Sequence, residues 1–139
     1  MKKVSIIFPN QLFRESAILK INWDILILED SLFFGNDKFH KLINHKNKLV
    51  FHRASMRAYK KYLEITGFKV LYIENKNNYS TVDYLSEFIK DKYQKINLIE
   101  PHDYLIMKRI NNFVESNNLA LNVLPSPMFM ISEELKELF

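Results

Sequence analysis

Five short apolar runs punctuate the chain: Val4–Phe8, Ile25–Glu29, Lys69–Ile73, Ile96–Ile99 and Leu121–Leu124. They are rich in Ile, Val and Leu and mostly do not alternate with polar residues. A strand covered on one face alternates; one covered on both faces reads as a continuous apolar run. Helical stretches separate most of the runs: Asn47–Thr66, Thr81–Tyr93, Tyr104–Asn117 and a final Glu133–Phe139. Strand and helix in alternation predict a parallel sheet with right-handed crossovers. The fold class expected is therefore α/β, doubly wound, with a mainly five-stranded parallel sheet in a Rossmann-like or flavodoxin-like layout. Between Ser31 and Asn44 the pattern is aromatic and basic, with Gly35-Asn36 as a turn signal, and predicts a loop with a short helix.

The stretch 47–66 can be laid out at 100° per residue. Arg53, Arg57, Lys60, Lys61 and Glu64 fall in one arc; Val50, Phe51, Ala54, Ala58, Tyr62 and Ile65 fall in another, with Leu49, Met56, Tyr59 and Leu63 beyond them. The apolar arc is the wider, which predicts a deeply packed helix. Gly67 stands where a left-handed cap residue belongs, and Ser80 or Thr81 can cap the helix that follows.

A length of 139 residues fits one domain, and 11 Phe and 7 Tyr supply enough apolar area to fold it. With no cysteine, this chain holds no disulfide, thiolate nucleophile or cysteine-bound zinc or iron–sulfur cluster. No stretch has the apolar length to span a bilayer. Met1-Lys2-Lys3 followed by Val4–Phe8 begins like a signal peptide, but Pro9-Asn10-Gln11 interrupts it and no small-residue cleavage site follows, so a cytoplasmic location is expected. The net charge of +4 is concentrated between Lys38 and Lys61, where no acid occurs. Such a patch attracts phosphates or acidic partners; a solvated helix face is the favoured reading at this modest charge.

Ligands of doubly wound sheets bind beyond the carboxyl ends of the strands, where the strand order reverses. Those ends are Pro9-Asn10-Gln11, Glu29-Asp30, Glu74-Asn75, Glu100-Pro101-His102 and Pro125-Ser126. The two glycines, Gly35 and Gly67, lie in no strand-to-helix turn, which argues against a phosphate-cradling loop and an ordinary NAD, ATP or GTP site. His40, His45, His52 and His102 lack metal-ligand spacing, and His52 reads as a buried, hydrogen-bonded histidine. Glu29, Asp30 and Glu100 read as binding or structural groups, because no nucleophile, metal or activated base completes a catalytic constellation. Lys46, Lys48, Arg53 and Arg57 offer contacts to phosphate, without an interleaved aromatic platform for single strands.

Several segments together resemble the deoxyribodipyrimidine photolyase-related family, the iron–sulfur bacterial cryptochromes and photolyases. Ile7-Phe8-Pro9-Asn10-Gln11-Leu12 is similar to that family's strand followed by (Asp/Asn/His)-Gln-Leu, and Ile27-Leu28-Glu29-Asp30 to its strand ending in an acid. The most specific match is His45-Lys46-Asn47-Lys48-Leu49-Val50-Phe51, then Ala54-Ser55-Met56-Arg57, Tyr62-Leu63 and Gly67-Phe68-Lys69-Val70-Leu71-Tyr72. Ile99-Glu100-Pro101 resembles the family's Glu-Pro, and Pro127-Met128-Phe129-Met130 its Phe-Leu before the interdomain segment. Ala54-Ser55 departs from the usual Ser-Ala, and Tyr104-Leu105 from a common Trp-Arg pair.

The resemblance implies an N-terminal α/β antenna domain over residues 1–131 and the start of an interdomain linker helix over 132–139. In such relatives this domain holds an antenna chromophore, 6,7-dimethyl-8-ribityllumazine, and a helical C-terminal domain holds FAD and a cysteine-ligated iron–sulfur cluster. Those two cofactors are expected only in that partner domain, in cis or as a separate chain, and DNA is engaged through the full-length protein. The chain itself is expected to be a separate domain, or a truncated or split version of the family, with no photochemistry of its own and no membrane partner. The implied antenna-binding positions are Pro9, Asn10, Gln11, Glu29, Asp30, Phe34, Lys46, Lys48, Met56 and Glu100, with Phe33, Phe34 and Met56 lining the slot and one cavity shared by Asn10, Glu29 and Glu100. The alternatives are a chromophore-free docking or DNA-facing module of the same fold, and, with least support, a small α/β enzyme acting on a nucleotide or phosphate.

Overall fold

The computed structural model describes residues 2–13, 18, 22–39, 46–101 and 103–125, with only the backbone of 46–48. Its elements run β1 (Lys3–Ile7), β2 (Asp24–Leu28), α1 (Ser31–Phe34), α2 (Lys46–Ile65), β3 (Val70–Ile73), α3 (Thr81–Phe88), β4 (Lys95–Ile99), α4 (Tyr104–Ser116) and β5 (Ala120–Leu124). All pairings are parallel, in the order β3-β2-β1-β4-β5. That order is the Rossmann one; a flavodoxin-like sheet would set β1 between β2 and β3. The expected final helix at Glu133–Phe139 and the segment Pro127–Met130 lie outside the described residues, as do His40, His45 and His102.

In β1, β2 and β4 the apolar runs do not alternate because both sheet faces are covered, whereas the edge strands β3 and β5, expected to be covered likewise, leave Leu71 and Val123 exposed. Val4, Ile6, Phe8, Leu26, Leu28, Ile96 and Leu98 point to one side, against Tyr84, Leu85, Ile106, Ile110 and Phe113 of α3 and α4. Ile7, Ile25 and Ile27 point to the other, against Phe34, Met56, Tyr59 and Leu63. Each such side chain contributes roughly 1.5–3 kcal/mol when removed from water.

The helix ends follow the sequence. Ser80 and Asp83 form a reciprocal capping box on α3. Asp103 accepts two amide bonds at the start of α4. Gly67, at φ 102°, ends α2 in a Schellman motif, with Phe68 N–H on Leu63 O and Gly67 N–H on Glu64 O. The packing of α2 differs from expectation. Its buried side chains are the narrow stripe Met56, Tyr59 and Leu63, while Val50 and Phe51 stay 61% and 69% exposed and Ile65 77%. The helix rests on strands next to the sheet edge, so only one stripe finds strands beneath it. His52 is half-buried, its ring 6.4 Å from Phe34 and 6.5 Å from Phe51. The helix at Thr81 also ends earlier than expected: regular helix stops at Phe88, and Lys92 and Tyr93 N–H groups both turn back to Ile89 O.

Asp30 caps α1, its Oδ1 accepting from Leu32 N–H at 2.9 Å. Its Oδ2 completes no hydrogen bond of standard geometry, although Thr81 is close enough to ease the charge. Burial pushes the Asp30 pKa up to about 6, against the opposing pull of Leu32 N–H, Thr81 and Arg109. A carboxyl whose folded pKa is raised contributes stability that is full below the unfolded value near 3.8 and is lost as pH rises through about 6. Asp30→Asn keeps the cap and removes the ionisation. Urea unfolding is expected to show the variant more stable than the parent at neutral pH by as much as ~3 kcal/mol, at ~1.4 kcal/mol per pKa unit, with the gain shrinking as the pH approaches 4. A gain of equal size at both ends of that range would contradict the assignment.

Candidate functional site

The strand order reverses between β1 and β4, where such sheets usually open a crevice. Here Gln11 occupies it. The Gln11 side chain, 3% exposed, accepts from Phe8 N–H at 3.2 Å and donates to Ile99 O at 2.9 Å, stitching the two strand ends together. Pro9 is buried beside it, and Asn10 and Glu100 are exposed on either side. Glu100 N–H donates to Leu124 O at 2.7 Å and so extends the ladder to β5.

The larger opening lies two strands away, beside the carboxyl ends of β2 and β3. A groove of about 570 Å³ is lined by Phe34 of α1, by Leu49, Val50, Arg53, Ala54 and Arg57 of α2, and by Asn75 just after β3. The α2 positions recur every three or four residues, so they share one helix face. Phe34 closes the inner wall, its own ring seated among Ile7, Ile27 and Met56.

Beneath the groove sits the fully buried carboxylate of Glu29, the first residue after β2. Arg53 Nη2 and Nε donate to its Oε1 at 2.8 and 3.2 Å, and Nε also reaches Oε2 at 3.1 Å. Asn75 N–H donates to Oε1 at 2.9 Å, and the Tyr72 hydroxyl donates to Oε2. Burial alone would raise the Glu29 pKa, but the bonds from Arg53, Tyr72 and Asn75 outweigh it and hold it below 4.5. Burial, then the bond to Glu29, raises the pKa of Tyr72, so its phenol stays protonated and donating. Arg53 is fixed in turn with its guanidinium 5.8 Å from the Phe34 ring, and Arg57 lies 5.6 Å from the Tyr72 ring while pairing Glu74 at 2.8 Å.

A second polar layer anchors the loop ends. The Asn75 amide group reaches Glu29 O, Ser31 Oγ and Asn36 Oδ1, and it accepts from Asn36 Nδ2 at 2.6 Å. Tyr84 of α3 shares a 2.7 Å bond with Ser31 Oγ and accepts from Lys76 N–H at 2.8 Å. On the opposite sheet face, Arg109 makes a two-pronged pair with the buried Asp37 at 2.8 and 3.0 Å and reaches Thr81 at 3.1 Å. Segments far apart in sequence are thereby tied to one rim.

The ten candidate positions separate. Phe34 lines the groove; Glu29 and Met56 lie directly behind its wall. Asp30 caps α1, and Phe33 packs on Phe8, 6.1 Å between ring centres. Pro9, Asn10, Gln11 and Glu100 belong to the β1–β4 seam and are not among the described residues lining the groove. Lys46 and Lys48 start α2, and their side chains lie outside the description. Arg53 and Arg57, read from the sequence as phosphate contacts, and Asn75, one of the strand-end residues, line the groove, and Leu49, Val50 and Ala54 are the additions; the 49/50–53/54–57 spacing on one helix was the available signal. Pairing with Glu29 and Glu74 lowers the charge those arginines leave for phosphate. Among the described residues, no group of His, Asp and Glu could hold a metal ion, and no helix is long and apolar enough to cross a membrane.

A group with a depressed folded pKa contributes stability that is present above its unfolded value and lost as pH falls. Glu29→Gln is therefore expected to cost about 1–3 kcal/mol at neutral pH, below the range for wholly buried pairs because Arg53 is part-exposed. Parent and variant should converge as the pH falls below 4.5 and through the lowered folded value. In a double-mutant cycle with Arg53→Met, the paired loss should be smaller than the sum of the single losses. Strict additivity would mean that the two side chains are not coupled.

The whole-chain comparisons bear out the motif reading at the level of the photolyase-related family. The family model described as deoxyribodipyrimidine photo-lyase-related protein matches residues 5–139. An uncharacterized protein of Acanthamoeba polyphaga mimivirus is 35% identical over an alignment of 145 residues, which takes in 99% of this chain and 71% of the viral protein. With a Rossmann-ordered sheet beneath those matches, the chain belongs to the deoxyribodipyrimidine photo-lyase-related protein family.

Proposed function

We propose that the groove beside β2 and β3 binds a planar, oxygen-rich heterocycle, an antenna chromophore of the 6,7-dimethyl-8-ribityllumazine kind, for a light-dependent flavoprotein. The observation carrying this reading is the pairing of a flat aromatic wall, Phe34, with a guanidinium held over it by a buried carboxylate. The volume of about 570 Å³ falls in the range of small-molecule sites. The described lining is rich in donors and apolar surface and includes no carboxylate among the described residues, which suits a ligand whose ring carbonyls accept hydrogen bonds. Bound there, the chromophore would supply blue-light absorption and hand its excitation to a flavin. The chain's residues do no covalent chemistry in this reading. Phe34 stacks, Arg53 and Arg57 donate, Leu49, Val50 and Ala54 exclude water, and Glu29 fixes Arg53. The FAD and iron–sulfur cluster belong to a helical partner domain, and work on DNA or light signalling belongs to the assembled protein.

A chromophore-free docking module is the second reading. It is favoured by Val50 and Phe51, more than half exposed next to the groove. Titration with the lumazine separates the two. The antenna reading expects a shifted, structured absorption band with micromolar affinity, weakened about tenfold by Phe34→Ala, the equivalent of ~1.4 kcal/mol. No spectral change at high micromolar ligand would defeat it, and salt-dependent capture of duplex DNA in its place would support the docking module.

A further inference from the structure

The opposite end of the sheet carries a different feature. We propose that the amino-terminal rim of the strands binds single-stranded nucleic acid, with Trp23 as a stacking platform and Lys2, Lys3, Lys69 and Lys95 as a phosphate track. These lysines are far apart in sequence and are gathered by the strand register. Lys3 and Lys95 are direct partners on β1 and β4, and Lys69 immediately precedes β3. The backbone holds them in place: Lys2 N–H donates to Gln94 Oε1 at 2.7 Å, Gln94 N–H returns to Lys2 O at 2.9 Å, and Ile25 N–H donates to Lys69 O at 2.9 Å.

Like charges placed side by side on neighbouring strands repel. The fold nevertheless sets Lys3 and Lys95 together and brings both ammonium groups over one ring, 5.2 and 5.6 Å from the centre of Trp23. No ion pair links any of the four lysines to a described carboxylate. Asp24, the acid on this rim, accepts from the Tyr93 hydroxyl at 3.2 Å. A cavity of about 450 Å³ opens among Lys2, Lys3, Asn22, Trp23, Asp24 and Lys69. Its charge selects an anion, and its half-buried indole selects an anion that brings a flat ring.

The shape of the patch selects a strand over a single phosphate. From β3 across to β4 the lysines span three inter-strand spacings, about 14 Å. One phosphate needs only a point, whereas consecutive phosphates of an extended strand need a row. A duplex keeps its bases stacked inward and offers Trp23 no ring face, while an unpaired base does.

Trp23 is the only tryptophan in the chain, so its fluorescence reports on this rim alone. An oligothymidylate of about eight nucleotides is expected to quench it. With about three phosphates engaged, the affinity should fall roughly eighteen-fold when salt rises four-fold. The Lys3→Gln/Lys95→Gln variant should bind at least about tenfold more weakly, a loss of ~1.4 kcal/mol, with an unchanged far-ultraviolet circular dichroism spectrum. A Lys60→Gln/Lys61→Gln variant on α2 should bind as the parent does. The proposal is overturned by absent quenching, by an affinity indifferent to the Lys3/Lys95 change or to salt, by thymidine monophosphate binding as tightly as the oligomer, or by a duplex binding as tightly as the strand.

Discussion

The buried carboxylate of Glu29 is the constraint on which the candidate site depends. A carboxylate removed from water is tolerated only when its oxygens are saturated, and here Arg53, Tyr72 and the Asn75 amide share that task. Each donor comes from a different part of the chain: α2, β3 and the turn after β3. Satisfying one charge therefore fixes the helix against the strand ends and aims the Arg53 guanidinium at Phe34. The polar layer of Asn75, Ser31, Asn36 and Tyr84 then locks α1 and the β3 exit to the same rim. The groove is a consequence of that arrangement.

This chain has a Rossmann-ordered sheet without the glycine-rich first turn that serves dinucleotides. In this chain the first turn is Pro9-Asn10-Gln11, and Gln11 spends its side chain bridging β1 to β4. That bridge ties the two strand ends together at the position where the sheet would ordinarily receive a ligand. The groove on the carboxyl edge lies between α2 and the β2–β3 ends.

Much of this was legible in the sequence, for reasons that can be named. Continuous apolar runs revealed the strands, covered on both faces in β1, β2 and β4 but not at the edges, and Gly67 and Ser80 marked their helix ends because left-handed caps and capping boxes demand those residue types. Glu29 stood out as an acid ending an apolar strand. The sheet order was not legible, since neighbouring strands are chosen by long-range packing. Nor was the exposure of Val50, Phe51 and Ile65, because an apolar arc says nothing about what the tertiary structure lays against it. Asn10 and Glu100 sit at strand ends as Glu29 does, yet they are not among the described residues that line the groove. The lysine row around Trp23 was invisible for the same reason: positions 2, 3, 69 and 95 meet only once the register is set.

The account stands on Glu29 being ionised and saturated inside the folded protein. Carbon-13 NMR titration of the side-chain carboxyl, with the Glu29 resonance assigned by its disappearance in the Glu29→Gln variant, reads this directly. The account requires a midpoint below the ordinary 4.5. A carboxyl that titrates above that value, or that is already neutral at pH 7, would mean that burial wins over the donors and that Arg53 is not held where the groove needs it.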